Sequence, residues 1–195
     1  IRELNGIPCI SIEALPAKQQ IICSRSFGDR ITQLQDMKQA LCQYAERAAE
    51  KLRKEKQYCR HVSVFLRTSP YANEPQYGNS ANQVMMLATQ DTRDIVAAAT
   101  KALSQIWRDG YRYQKAGIML NDFCSRPGPI DMFDETLPRA NGGQLMKVVD
   151  RINSTGVGKV WFGGQGIEKG WRMKRELLSP SYTTKWSELP LALIR

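Results

Sequence analysis

Between Leu34 and Leu52, apolar residues return every three or four positions: Leu34, Met37, Leu41, Tyr44, Ala45, Ala48 and Leu52. That spacing is the stripe of an amphipathic helix, and such a stripe must be buried against a partner surface. The flanking segments show what it covers. Before it, Gln20 to Gly28 is β-prone at its core, and Gly28 marks its expected end. Thr32 with Gln35 has the form of a capping box for the helix start. After it, Cys59 to Arg67 alternates: Val62, Val64 and Leu66 point one way, and His61, Ser63, Phe65 and Arg67 the other. The helix's second face carries Lys38, Glu46, Arg47, Glu50, Lys51, Arg53 and Lys54, and its charge run at 50–56 reads as a solvated helix end.

The rest of this region repeats the theme. Thr68 to Ser80, broken by Pro70, Pro75 and Gly78, is a long hairpin loop, and Asn82 to Leu87 is a third strand. Asp91 or Thr92 caps a second helix with the stripe Ile95, Ala99, Leu103, Ile106 and Trp107, ended by Gly110. Tyr111 to Leu120 is a fourth strand, with Ala116, Ile118 and Leu120 on one side and Tyr113 and Lys115 on the other. The order β-α-β-β-α-β predicts an α+β fold: a four-stranded sheet with two helices on one face and the second face open. Expected on the open face are Ser24, Arg25, Ser26, His61, Ser63, Arg67, Tyr113 and Lys115. Short hydroxyls and long cations of this kind suit phosphate oxygens. The bland alternative is an ordinary solvated sheet face.

The charge balance supports a polyanionic partner. Lys and Arg number 28 against 19 acids, a net +9. No apolar run approaches a membrane span and no signal peptide is visible. Five cysteines at no C-x-x-C spacing, beside the single His61, offer no zinc-ligand set and read as reduced, mostly buried thiols. Gly156-Val157-Gly158-Lys159-Val160 fails as a phosphate loop, because Val follows the Lys and Asn153 stands in place of the first Gly. Gly163-Gly164-Gln165-Gly166 fails as a dinucleotide fingerprint. No carboxylate, His or Cys constellation reads as an active site.

Four regions are expected: a tether at 1–16, the sheet domain at 17–122, a linker at 123–138 and a small α+β unit at 139–195. In the last, Gln144 to Ile152 is a short helix burying Leu145, Val148, Val149 and Ile152, and Lys159 to Phe162 a strand. The linker holds Ile130, Met132 and Phe133 among Pro, Gly and Asp, where no regular period accounts for them.

Three stretches together carry a resemblance. They are Cys23-Ser24-Arg25-Ser26-Phe27-Gly28, Tyr113-Gln114-Lys115-Ala116-Gly117-Ile118-Met119-Leu120, and the tail Gly164-Gln165-Gly166, Trp171-Arg172-Met173-Lys174-Arg175 and Leu178-Ser179-Pro180-Ser181-Tyr182-Thr183-Thr184. They resemble the UmuC-type Y-family translesion DNA polymerases over nearly the whole chain. The resemblance implies that residues 1–16 leave the thumb, that 17–122 are the little finger, which grips the primer–template backbone, and that 139–195 are a UmuC-type C-terminal domain. It further implies a cytoplasmic, nucleoid-associated bacterial protein of the SOS response and DNA repair. The family's palm, whose carboxylates hold Mg, has no counterpart here. This stretch is therefore expected to bind DNA, to hold no cofactor of its own and to be inactive alone, while its parent is a DNA-directed polymerase. The family's sliding-clamp peptide, Gln-Leu-x-Leu-Phe, matches Pro129, Ile130, Asp131, Met132 and Phe133, with Pro in place of Gln. A UmuD-prime dimer and RecA are the implied protein partners. A free-standing RNA-binding module shares the β-α-β-β-α-β order and is the alternative; it requires stacked aromatics on the central strands, for which Phe65 and Tyr113 are the candidates.

Overall fold

The computed structural model describes residues 1–9, 18–126, 139–156, 158–168, 170–174 and 178–190. The elements follow the expected order: β1 (Ile21–Ile31), α1 (Leu34–Lys54), β2 (Tyr58–Thr68), β3 (Gly78–Thr89), α2 (Thr92–Ile106), β4 (Tyr113–Cys124) and α3 (Gly142–Thr155). The four strands form one antiparallel sheet in the order β1-β4-β2-β3. Helices α1 and α2 pack on one face of it. The α+β fold class is as the sequence predicts.

The core lies between sheet and helices. Val62, Val64, Leu66, Ala116, Ile118 and Leu120 meet Met37, Leu41, Ala45, Ala48 and Leu52 of α1 and Ile95, Ala99 and Leu103 of α2. Each fully buried Leu or Ile contributes about 1.5–3 kcal/mol relative to exposure. Ala40 and Ala49 are buried too, so the buried surface of α1 is wider than its predicted stripe. That helix has neighbours on two sides: α2, and the chain after residue 139.

Local details depart from expectation where side chains found other partners. The capping box is absent: α1 starts after Gln33, and no side chain caps it. Asp91 does cap α2, accepting from the Arg93 backbone N–H at 2.9 Å. The first strand runs three residues past Gly28, to Ile31, through an irregular stretch where the β1–β4 register slips between Ser26 and Ile31. Helix α2 ends at Ile106, before Gly110, because Trp107 turns into an aromatic cluster with Tyr113 at 4.8 Å between centroids.

The region after residue 139 joins the helical side of the sheet domain. Arg53 of α1 grips Asp150 of α3 with two hydrogen bonds, at 2.6 and 2.7 Å. Trp171 is buried edge-on against Phe27 and Tyr44. The Gln165 side-chain amide donates to the Glu46 carboxylate. Gly28 and Gly166 mark close approaches: a Cβ at Gly28 would meet the Arg172 carbonyl at 2.3 Å, and one at Gly166 would strike the Gln39 side chain. Lys159–Phe162, expected as a strand, is irregular and leads into a 3-10 turn at Gly163–Gln165. Val160 there is instead held by the Asn153 side chain, which accepts from its N–H and donates to its C=O. Of the α3 stripe expected to be buried, Leu145, Val148 and Ile152 are substantially exposed, and Met146 is the fully buried residue. Met146 lines a groove with the edge strand β3 and α2.

Candidate nucleic-acid interface

The sheet face away from α1 and α2 is crossed by rows of side chains that the register fixes. One row runs Ser26, Lys115, Arg67, Gly78; the next Ser24, Gly117, Phe65, Ser80; the next Ile22, Met119, Ser63, Asn82; and the last Asn121, His61, Val84. Ser24, Ser26, His61, Ser63, Arg67 and Lys115 thus share the open face, as their alternation predicts. The contacts of Gln165 and Trp171 fall on α1 and Phe27, while Ile22 and Ser24, at the β1 end of two rows, also line a cleft with Lys159 and Gln165.

Arg67 and Lys115 stand directly opposite each other on the two central strands. Like charges in that relation destabilise a sheet. Neither has a carboxylate partner among the described residues. Phe65 lies over Gly117: a Cβ there would meet Phe65 Cζ at 2.5 Å and Ser24 Cβ at 2.4 Å. The glycine lets the ring lie down on the sheet, so the face stays low in its middle. His61 Nε2 is 3.7 Å from Asp122 Oδ2.

Two expected members are elsewhere. Tyr113 is fully buried on the helical side, packed with Tyr77, Trp107 and Tyr111 and donating to the Arg108 carbonyl at 2.9 Å. The cause is a bulge: Arg67 pairs with Lys115 but Thr68 pairs with Tyr113, so β4 spends one extra residue, Gln114. One extra residue turns every side chain beyond it to the other face. Burial raises the Tyr113 pKa, and the Arg108 backbone contact opposes that rise. Arg25 pairs with the buried Ala116, so it projects to the helical side of β1, beside Tyr44, Arg47 and Lys51. Strand alternation separates it from Ser24 and Ser26. Ser80 and Asn82 of β3 join the face, a contribution readable from alternation along Gly78–Thr89 once the long strand is recognised. Ile130, Asp131, Met132 and Phe133 lie outside the described residues.

Cys23, Cys42 and Cys59 are buried, Cys124 is half-buried and Cys9 is exposed. Burial pushes the Cys59 thiol up to about 12, with Cys124 and Asp122 adding to the rise. No group of three or more His, Cys, Asp or Glu among the described residues is placed to hold a metal ion. No described helix is long and apolar enough to cross a membrane.

Comparison with known proteins places this geometry. Residues 18–131 match the family model for the impB/mucB/samB family C-terminal domain. The chain belongs to that family. Residues 143–192 match a second model, a domain of unknown function, DUF4113. The chain is 59% identical over 195 residues to the protein SamB of Salmonella typhimurium, covering 98% of this chain and 46% of SamB. It is 55% identical over 193 residues to the protein UmuC of the same species, covering 97% of this chain and 46% of UmuC. It therefore spans about half the length of these relatives. A DNA polymerase IV of Clostridium acetobutylicum is 31% identical over 124 residues, 63% of this chain and 29% of that protein. The match ties the chain to the C-terminal region of UmuC- and MucB-type proteins.

Proposed function

We propose that this region grips primer–template DNA for an error-prone translesion polymerase of the SOS response, holding the sugar–phosphate backbone on the open sheet face. The observation that carries the reading is the unpaired juxtaposition of Arg67 and Lys115 on the central strands, flanked by Ser26, Ser24 and Ser63. Two cations placed face to face cost stability in the free protein, and a phosphate between them removes that cost. The family match and the likeness to a DNA polymerase IV support the same reading. The parent protein is read as a DNA-directed polymerase whose Mg-binding carboxylates lie in its palm. The peptide Pro129–Phe133 is read as its clamp tether, and a UmuD-prime dimer and RecA as its further partners. The RNA-module alternative loses one of its two stacking aromatics, since Tyr113 is in the core.

The test is fluorescence anisotropy with a primer–template duplex across a salt series. Changing Arg67 and Lys115 together to Ala is expected to lower the log–log salt slope by about 1.8, at about 0.9 per phosphate contact. Binding to different duplex sequences should weaken alike, because backbone contacts carry no base information. An unchanged slope, or a preference for single-stranded RNA over duplex DNA, would refute the proposal.

A further inference from the structure

A second cationic site lies on the opposite side of β1. Helix α1 carries Arg47, Lys51 and Lys54 at steps of four and three, so all three share one face of the helix and lie within about 10 Å of one another along its axis, at 1.5 Å per residue. Arg25 projects toward them from the edge strand, and Lys159 from the far wall formed by the chain after α3. Together with Asn153, these groups line a cleft of about 550 Å³.

The carboxylates in the cleft are already engaged. Glu46 accepts from Gln165, and Glu50 pairs with Lys54 at 2.6 Å. Arg25, Arg47, Lys51 and Lys159 have no ion pair among the described residues. Arg25, Arg47 and Lys51 line this cleft together with Cys23, whose thiol pKa burial raises while the three positive charges oppose the rise. Four unmatched cations around one slot are an unfavourable arrangement unless an anion enters it.

We propose that this cleft binds the phosphodiester backbone of a single-stranded nucleic-acid segment, and that the C-terminal unit forms its outer wall. Size sets the strand count. A cleft of this volume takes a group of drug-like size, whereas a duplex presents a major groove alone about 12 Å wide. The lining offers cations and amides, while its one aromatic, Tyr44, is buried beneath Trp171. Contacts are therefore to phosphates and not to stacked bases, and binding is indifferent to sequence. Ser24 reaches both the cleft and the open sheet face, so a strand leaving the duplex site has a continuous path around the β1 edge.

The test compares the unchanged chain with Arg47→Gln/Lys51→Gln, both exposed positions, using a short fluorescent oligothymidylate and a primer–template duplex in parallel. Loss of two phosphate contacts is expected to lower the single-strand salt slope by about 1.4, at about 0.7 each, and to weaken binding at low salt by about tenfold. Duplex affinity should change less than about twofold, which separates this site from the sheet face. An unaltered oligothymidylate slope overturns the proposal. So does polyglutamate of matched charge displacing the oligonucleotide with equal potency, an outcome that assigns the cleft to an acidic peptide.

Discussion

Replacing Arg53 with Ala tests how firmly the C-terminal unit is held. Arg53 Nε and Nη2 donate to the two Asp150 oxygens at 2.6 and 2.7 Å, and Nη1 donates to the Gln90 carbonyl at 3.0 Å and to Thr92 Oγ1 at 2.9 Å. One guanidinium thereby ties α1, the start of α2 and α3. Its side chain is 8% exposed and that of Asp150 29%. Removing one partner of a buried pair costs about 3–5 kcal/mol. Asp150 keeps some contact with water and part of its charge rehydrates, so the expected cost is lower, about 2–4 kcal/mol. Arg53→Lys should recover only part of this, since one ammonium cannot reproduce the two-pronged grip. The assay is urea unfolding, combined with limited proteolysis of α3 and a double-mutant cycle with Asp150→Ala. α3 should become cleavable while the sheet domain still unfolds cooperatively. A loss below about 1 kcal/mol, the range of exposed ion pairs, would refute the reasoning.

Two further outcomes are open to measurement. Burial pushes the Asp91 carboxyl up, but hydrogen bonds from Arg93 and the charges of Arg93 and Arg139 outweigh it, so its folded pKa lies below the usual carboxylate range. A depressed pKa contributes stability that is present above the unfolded value of about 3.9 and is lost as pH falls through the folded value. Urea midpoints of Asp91→Asn should therefore lie below those of the unchanged chain at neutral pH and converge with them below about pH 4; parallel curves across that range would contradict the assignment. Changing Met132 and Phe133 to Ala should abolish capture by an immobilised sliding clamp if the pair anchors the tether in an apolar pocket, and undiminished capture would dismiss the peptide reading.

The periodicities of the chain carried most of the fold. The stripe from Met37 to Leu52, the alternation through Val62, Val64 and Leu66, and the Asp91 cap are local patterns, each reporting its own burial, and each is where it was expected. Six of the eight expected face residues follow from the same alternation. Arg25 failed against that very rule, since a neighbour of Ser24 in a strand cannot share its face.

What the sequence determined alone is the β-α-β-β-α-β order and the cationic character of the uncovered side, because both arise from spacings within single elements. What the tertiary structure decided depends on contacts between distant segments. The bulge at Gln114 that sends Tyr113 into the core is a property of pairing with β2, invisible along β4 itself. Arg53 reads as one more charge on a solvated helix end until Asp150, 97 residues later, folds back against it. The basic cleft likewise takes two walls from positions that no local pattern connects.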